Sequence, residues 1–413
     1  MLRRFALIAA TGLGGWAALA LSGTPAPAQD ALAALAPPDP ARLARLGERL
    51  FTEPALSRGA TQSCATCHDP AHAFTDPREG RAGRAVSVGD DGESHGDRNT
   101  PTLTYAAFSP TFHRTENGHY KGGQFWDGRA ADLREQAGQP MLNPVEMAMP
   151  DKETIAARLR KDADYRADFD SLFGAGILDD AERAYDAAAQ ALAAWQSTPA
   201  FSAFDSRYDR WMRGEEKLTP QEEFGHTVFI TWNCRLCHMQ RKQGIAPQET
   251  FTNFEYHNIG VPVNPDARTA SGLGTDHIDR GLLDHPGIDD PLEAGKFKVP
   301  TLRNVAVTAP YMHNGAFKDL RTAVSFYNKY TSRRAQAQVN PETGQDWGHP
   351  EVPENLSLTE LESGLALDDA RVDALVAFLE TLTDRRYEPL LDEQRAARAA
   401  DTTKDTEDGD TNS

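Results

Sequence analysis

The chain has 413 residues, a length suited to two or three domains. Hydrophobic residues make up 39% and charged residues 25%, the balance of a globular protein rather than a disordered one. A net charge of −18 argues against a phosphate-binding surface, so nucleic acid is not an expected partner, and four cysteines in two close pairs exclude a disulfide-rich scaffold.

Residues 1–28 read as an export signal. Arg3 and Arg4 precede an apolar run from Phe5 to Leu21, and Ala26-Pro27-Ala28 supplies an A-x-A cleavage site. The run contains Gly12, Gly14 and Gly15 and is short for a membrane span, so a mature periplasmic protein starting at Gln29 is expected, linked to the membrane only through this signal.

Residues 29–215 form the first expected domain. Leu43, Leu46, Leu50 and Phe51 are spaced for one face of a helix over Ala41 to Phe51. Cys64-Ala65-Thr66-Cys67-His68 follows, then a stretch dense in Gly and Pro from 69 to 150, then an Ala-rich helix over Asp179 to Trp195. Residues 216–391 repeat this order. Thr219 is an N-cap and Pro220 the first residue of a helix to Phe229. Cys234-Arg235-Leu236-Cys237-His238 follows, then a Gly- and Pro-rich stretch from 244 to 316. Val372, Leu375, Val376, Leu379 and Leu382 then make one buried stripe of a helix over Asp368 to Leu382. The tail, 392–413, is charged and lacks aromatics, so it is expected to be disordered. The expected fold is mainly α, with two cytochrome c-like domains whose long loops order around a bound group.

C-x-x-C-H is the attachment motif of c-type haem. Two thiols reach two vinyl groups on one porphyrin edge, and the adjacent His turns beneath the ring to ligate iron. A zinc site would need a second ligand pair at suitable spacing, and a thioredoxin-like pair would not need a His after the second Cys in both copies. Two covalently bound haems are therefore expected, on Cys64 and Cys67 with His68 as iron ligand, and on Cys234 and Cys237 with His238. Such a chain is either an electron carrier with both irons six-coordinate or an enzyme with one iron open to a small oxidant.

Further blocks carry a resemblance. Arg98-Asn99-Thr100-Pro101-Thr102, Gln124-Phe125-Trp126-Asp127-Gly128-Arg129, Glu135-Gln136-Ala137 and Asn143-Pro144-Val145-Glu146-Met147 lie in the first half. Lys298-Val299-Pro300-Thr301-Leu302-Arg303-Asn304-Val305 and Thr308-Ala309-Pro310-Tyr311-Met312-His313-Asn314-Gly315 lie in the second. In this order, from about Arg42 to Leu382, they resemble the bacterial di-haem cytochrome c peroxidase family, which includes the MauG-like enzymes. The resemblance implies that Glu146 is the distal acid of a peroxidatic first haem, that Gln136 hydrogen-bonds there and that Pro140 packs over its open face. A carboxylate in that place takes a proton from peroxide and returns it to the leaving oxygen. It implies that Trp126 lies between the haems as an electron relay, and that Asn99, Thr308 and Pro310 hold one calcium ion, largely through carbonyl oxygens.

In ordinary members a Met ligates the second haem in a segment resembling A-V-x-x-M. This chain has Ala323-Val324-Ser325-Phe326-Tyr327, with Tyr327 in the Met position as in the MauG-like branch. Phenolate favours oxidised iron, whereas Met raises the potential. Met312, Met239 and Tyr330 are the rival ligands. Trp232 matches the MauG-like tryptophan that passes electrons between the second haem and a docked protein. Ordinary members often carry a loop His that ligates the resting first haem. By strict count that place is Asp91, and His95 nearby reads as a surface-loop residue, with His72, His113 and His119 weaker rivals.

The resemblance therefore implies a MauG-like oxidoreductase. Hydrogen peroxide would bring the two haems to a high-valent di-iron state that oxidises Trp or Tyr side chains of a partner protein by long-range electron transfer. The alternative is a di-haem peroxidase that reduces hydrogen peroxide to water with electrons from a small cytochrome c or cupredoxin.

Overall fold

The computed structural model describes residues 37–239, 248–274 and 276–410, with side chains to residue 400. The export signal and Gln29 lie outside the described residues. From Pro38 onward the chain packs as one unit, and it contains two large hydrophobic cores.

The Asp39 carboxylate accepts from the backbone N–H of Ala41 and Arg42 and so starts α1 (Pro40–Phe51), with Pro40 in the first turn where no N–H is needed. The first half continues through α2 (Cys64–Cys67), α3 (Leu133–Leu142), α4 (Lys152–Lys161), α5 (Ala163–Phe173) and α6 (Ala181–Gln196). α7 (Arg207–Met212) follows at the end of the first half, and the second half holds α8 (Pro220–Thr231), α9 (Cys234–Cys237), α10 (Pro265–Ser271), α11 (Leu320–Thr331), α12 (Leu358–Leu361), α13 (Asp369–Glu380) and α14 (Glu388–Asp410). Among the described residues, strands are confined to three two-residue antiparallel pairs: β1 (His113–Arg114) with β2 (Tyr120–Lys121), β3 (Tyr256–His257) with β4 (Phe297–Lys298), and β5 (Val339–Asn340) with β6 (Gln345–Asp346). Among the described residues no helix is long and apolar enough to cross a membrane.

The four expected helices are present within one or two residues of their expected ends. Thr219 caps α8 through a capping box with Glu222. Leu43, Leu46, Leu50 and Phe51 are buried in the first core, and Val372, Leu375, Leu379 and Leu382 are buried on or just beyond α13.

Both halves use the same helix crossing. α1 meets α6 at Gly47, where an added Cβ would lie 1.9 Å from the Ala191 carbonyl oxygen. α8 meets α13 at Gly225, where it would lie 1.8 Å from the Ala374 carbonyl oxygen. Only glycine permits backbones this close, and the shared solution extends the duplication seen in the motifs.

Buried polar contacts join the halves. The Tyr105 hydroxyl donates to Asp384 at 2.6 Å across 279 residues, and the Asn304 amide donates to the other Asp384 oxygen at 2.9 Å. Arg303, fully buried, makes a two-pronged pair with Asp209 at 2.6 and 3.0 Å and lies over the rings of Tyr105, Phe204, Tyr208 and Phe251.

The tail departs from expectation. The backbone from Asp392 to Asp410 continues α14, and Arg395 and Arg398 pair with Glu380 while Arg398 also reaches Asp319. Composition does not register these partners, because they come from elements distant in the chain.

Candidate functional site

Each C-x-x-C-H motif begins a single helical turn, with its His as the C-cap. His68 Nδ1 is 3.0 Å from the Phe74 carbonyl, and His238 Nδ1 is 3.2 Å from the Phe251 carbonyl. Both phenylalanines are buried and have left-handed backbone, φ 55° and 54°. That conformation is costly for a bulky residue and recurs at sites where the backbone serves a function. An Nδ1–H donated to a carbonyl fixes the tautomer, so the Nε2 lone pair is available to a metal. Burial lowers the pKa of both imidazoles, His238 to about 4, and keeps them in the neutral, ligating form.

His68 opens onto a first cavity also lined by Cys67, Gln136, Pro140 and Glu146. Gln136 and Pro140 are one turn apart on α3, and Asp132 caps that helix by accepting from Glu135 N–H. The turn after α3 presents Glu146, whose Oε1 accepts from Asn143 Nδ2 at 2.7 Å. Burial raises the Glu146 pKa, opposed by the Arg129 charge and the Asn143 bond and assisted by Asp97. A carboxylic acid raised in this way is suited both to take and to give a proton.

His238 opens onto a second, largely apolar cavity shared with Cys234, Cys237, Tyr327 and Trp232. Tyr327 lies on α11. Tyr330, one turn on, points its hydroxyl elsewhere and donates to the Ile259 carbonyl at 2.9 Å. Met312 lines both cavities, and Met239 is buried in the second core. Trp232 ends α8, donates its indole N–H to the Leu365 carbonyl at 2.7 Å, lies beneath Arg371 and is partly exposed.

Trp126 lines both cavities. Its indole N–H donates to the Asn99 carbonyl at 2.9 Å, and its own carbonyl accepts from Lys298 N–H. The neighbouring Asp127 is held by Arg98, which also grips Asp279, so the loop carrying the indole is clamped by a nearly buried ion-pair network. Asn99, Thr308 and Pro310 line the first cavity, and Asn99 is the residue whose carbonyl accepts from Trp126.

His95 requires correction. It is buried rather than on a surface loop, and it lines neither cavity. Its Nε2 accepts from Arg81 N–H at 3.1 Å, and its Nδ1 is 2.8 Å from the Glu93 carbonyl. Both ring nitrogens are therefore committed away from the first cavity. Sequence reasoning also missed the Phe74 and Phe251 carbonyls, which carry no side-chain signal, and Lys298, which lines both cavities.

The residues fit covalent haem better than zinc. The four cysteines form no disulfide, and burial pushes the thiols of Cys64, Cys67 and Cys237 up to about 12 and that of Cys234 to about 11. Zinc needs thiolates and further ligands, and among the described residues no cluster of three or more His, Cys, Asp or Glu is placed to hold a metal ion. A thiol pair beside a neutral imidazole at an apolar cavity is what a thioether-bound porphyrin requires.

Known proteins agree with this geometry. The family described as di-haem cytochrome c peroxidase matches residues 41–217. Methylamine utilization protein MauG of Paracoccus denitrificans is 74% identical over 372 residues, covering 90% of this chain and 93% of that protein. Cytochrome c peroxidase Ccp of Escherichia coli is 33% identical over 297 residues, covering 71% of this chain and 54% of its own length. The diheme peroxidase BthA from Burkholderia thailandensis has a TM-score of 0.75 at 33% identity, over 85% of this chain and 87% of that one. With two C-x-x-C-H turns opening onto cavities that share one tryptophan, and a relative this similar along nearly its whole length, the chain belongs to the di-haem cytochrome c peroxidase/MauG family, in its MauG-like branch.

Proposed function

We propose that this chain is a haem-dependent oxidoreductase that uses hydrogen peroxide to oxidise Trp or Tyr side chains of a partner protein at a distance. Two haems c are bound through Cys64 and Cys67 and through Cys234 and Cys237, with His68 and His238 as iron ligands and Tyr327 as the second ligand of the second iron. One calcium ion is held by Asn99, Thr308 and Pro310, whose oxygens suit a hard cation. The mature protein works in the periplasm after loss of residues 1–28.

When bound, the haems supply peroxide activation and storage of the oxidising equivalents. The protein's own groups direct that chemistry. Glu146 Oε1 is engaged by Asn143, so Oε2 takes the proton of incoming peroxide and returns it to the departing oxygen. The Gln136 amide orients the oxidant, and the Pro140 ring narrows the space above it. The Trp126 indole passes electrons between the two cavities that it lines. Trp232, at the rim of the second cavity and partly exposed, receives electrons from the docked partner.

The asymmetry of the two cavities carries this reading. The first sets an acid and an amide in the cavity of its His, whereas the second offers Tyr327 where an ordinary peroxidase has Met. A chain built to draw electrons from a small cytochrome c or cupredoxin needs a high-potential second haem, and phenolate works against that. The test adds one equivalent of hydrogen peroxide to fully ferric holoprotein without donor and follows the near-infrared spectrum. A long-lived near-infrared band, reporting charge shared between two haems, is expected. No reaction until the protein is half-reduced would overturn the proposal in favour of the ordinary peroxidase.

A further inference from the structure

Lys298 is a half-buried cation with no part in the proton and electron routes above. It lies on β4, and its backbone N–H donates to the Trp126 carbonyl at 2.8 Å. It lines both cavities, one of eight residues that they share, among them Trp126, Val299, Tyr311 and Met312. Among the described residues its ammonium donates one hydrogen bond, to the Gly123 carbonyl at 2.6 Å. The neighbouring carboxylate that acts on it, Asp127, is already shared between Arg98 and Arg129. Burial pushes the ammonium down to about 7. In the second cavity, Nε2 of His257 and Nε2 of His313 are also buried without a hydrogen-bond partner.

An ammonium in such a place is costly unless an anion completes its shell. The groups expected in the two cavities each bring two carboxylates, the haem propionates. We propose that Lys298 is a shared anchor for a propionate of each haem, so that one charge tunes both irons together. This rests on both cavities holding haem. Haem content, measured separately, distinguishes failure of that reading from failure of this one.

A positive charge beside a haem favours the reduced iron. Lys298→Gln keeps a donor for the Gly123 carbonyl but removes the charge. In protein carrying two haems per chain by alkaline pyridine spectrum, its reduction equilibrium should fall at least tenfold at both haems, about 59 mV each for a one-electron couple. Lys298→Arg should stay within about threefold at both. A shift confined to one haem, or no shift at either, would overturn the shared anchor and leave Lys298 as a ligand of Gly123 alone. Where the Gln variant does not take up both haems, resonance Raman of the Arg variant decides. Propionate-bending bands should move for both haems, and bands unmoved for either one overturn the proposal.

Discussion

Replacing Glu146 with Gln tests the proton chemistry with little structural disturbance. The amide is isosteric, and its oxygen can still accept from Asn143 Nδ2 at the place where Oε1 now accepts at 2.7 Å. What is lost is the proton acceptor in the cavity of His68. Positioned acid–base groups contribute about 10² to 10⁴ in rate, so the second-order reaction with peroxide should slow by that factor, about 2.7 to 5.4 kcal/mol of barrier. Stopped-flow absorbance of ferric holoprotein mixed with peroxide measures it. The pH profile adds a second reading. Burial raises the folded pKa above the ordinary 4.5. The wild-type rate should therefore fall as pH drops through that raised value, and the variant should lose this dependence. Stability moves the other way. Below 4.5 the acid is protonated in folded and unfolded chains alike, and as pH rises through the folded pKa the buried carboxylate costs the fold. The Gln variant should thus be no less stable than wild type at pH 7 in a denaturant titration. Unchanged peroxide kinetics, or a pH profile identical to wild type, would refute the distal-acid role.

Tyr327→Met should raise the potential of the second haem by more than about 59 mV, a tenfold change in its reduction equilibrium, and leave the first haem unmoved in spectroelectrochemistry. An unchanged second potential would remove Tyr327 from the iron. Gly225→Ala places a methyl 1.8 Å from the Ala374 carbonyl oxygen and should destabilise the second half by at least about 2 kcal/mol, read from denaturant unfolding, with Gly47→Ala doing the same in the first. The double variant Cys64→Ala/Cys67→Ala should retain one covalent haem instead of two in intact-mass measurement of denatured protein, and two retained haems would contradict the assignment of the first attachment site.

The parts legible in the sequence are those where local pattern and local chemistry coincide. The stripe from Leu43 to Phe51 encodes a helix face because its neighbours along the chain are its neighbours in space. The two C-x-x-C-H turns set each Cys pair and its His at one cavity within five residues, and Trp126 and Glu146, singled out from their blocks, line the same first cavity. What was not legible depends on partners far along the chain or on the backbone alone. His95 looked like a loop residue because nothing adjacent reveals that Arg81 N–H would meet its Nε2. The Phe74 and Phe251 carbonyls orient the histidines through φ, which side-chain pattern does not report. The tail looked too polar to order, yet Glu380 and Asp319 supply the charges that hold Arg395 and Arg398.

The bond between Tyr105 and Asp384 ties an earlier stage of the protein's manufacture to a later one. Asp384 leaves the ribosome 279 positions after the hydroxyl that it accepts from. A chain that stops short of it leaves Tyr105 and Asn304 with buried polar groups that have lost their partner, a penalty of roughly 1–3 kcal/mol for each. Under the proposed roles the first half carries the peroxide-facing His68, Gln136 and Glu146, yet its packing is completed from far along the chain. A prematurely terminated product is thus left unstable and open to proteolysis, instead of persisting as a half-enzyme with an oxidant and no substrate to spend it on.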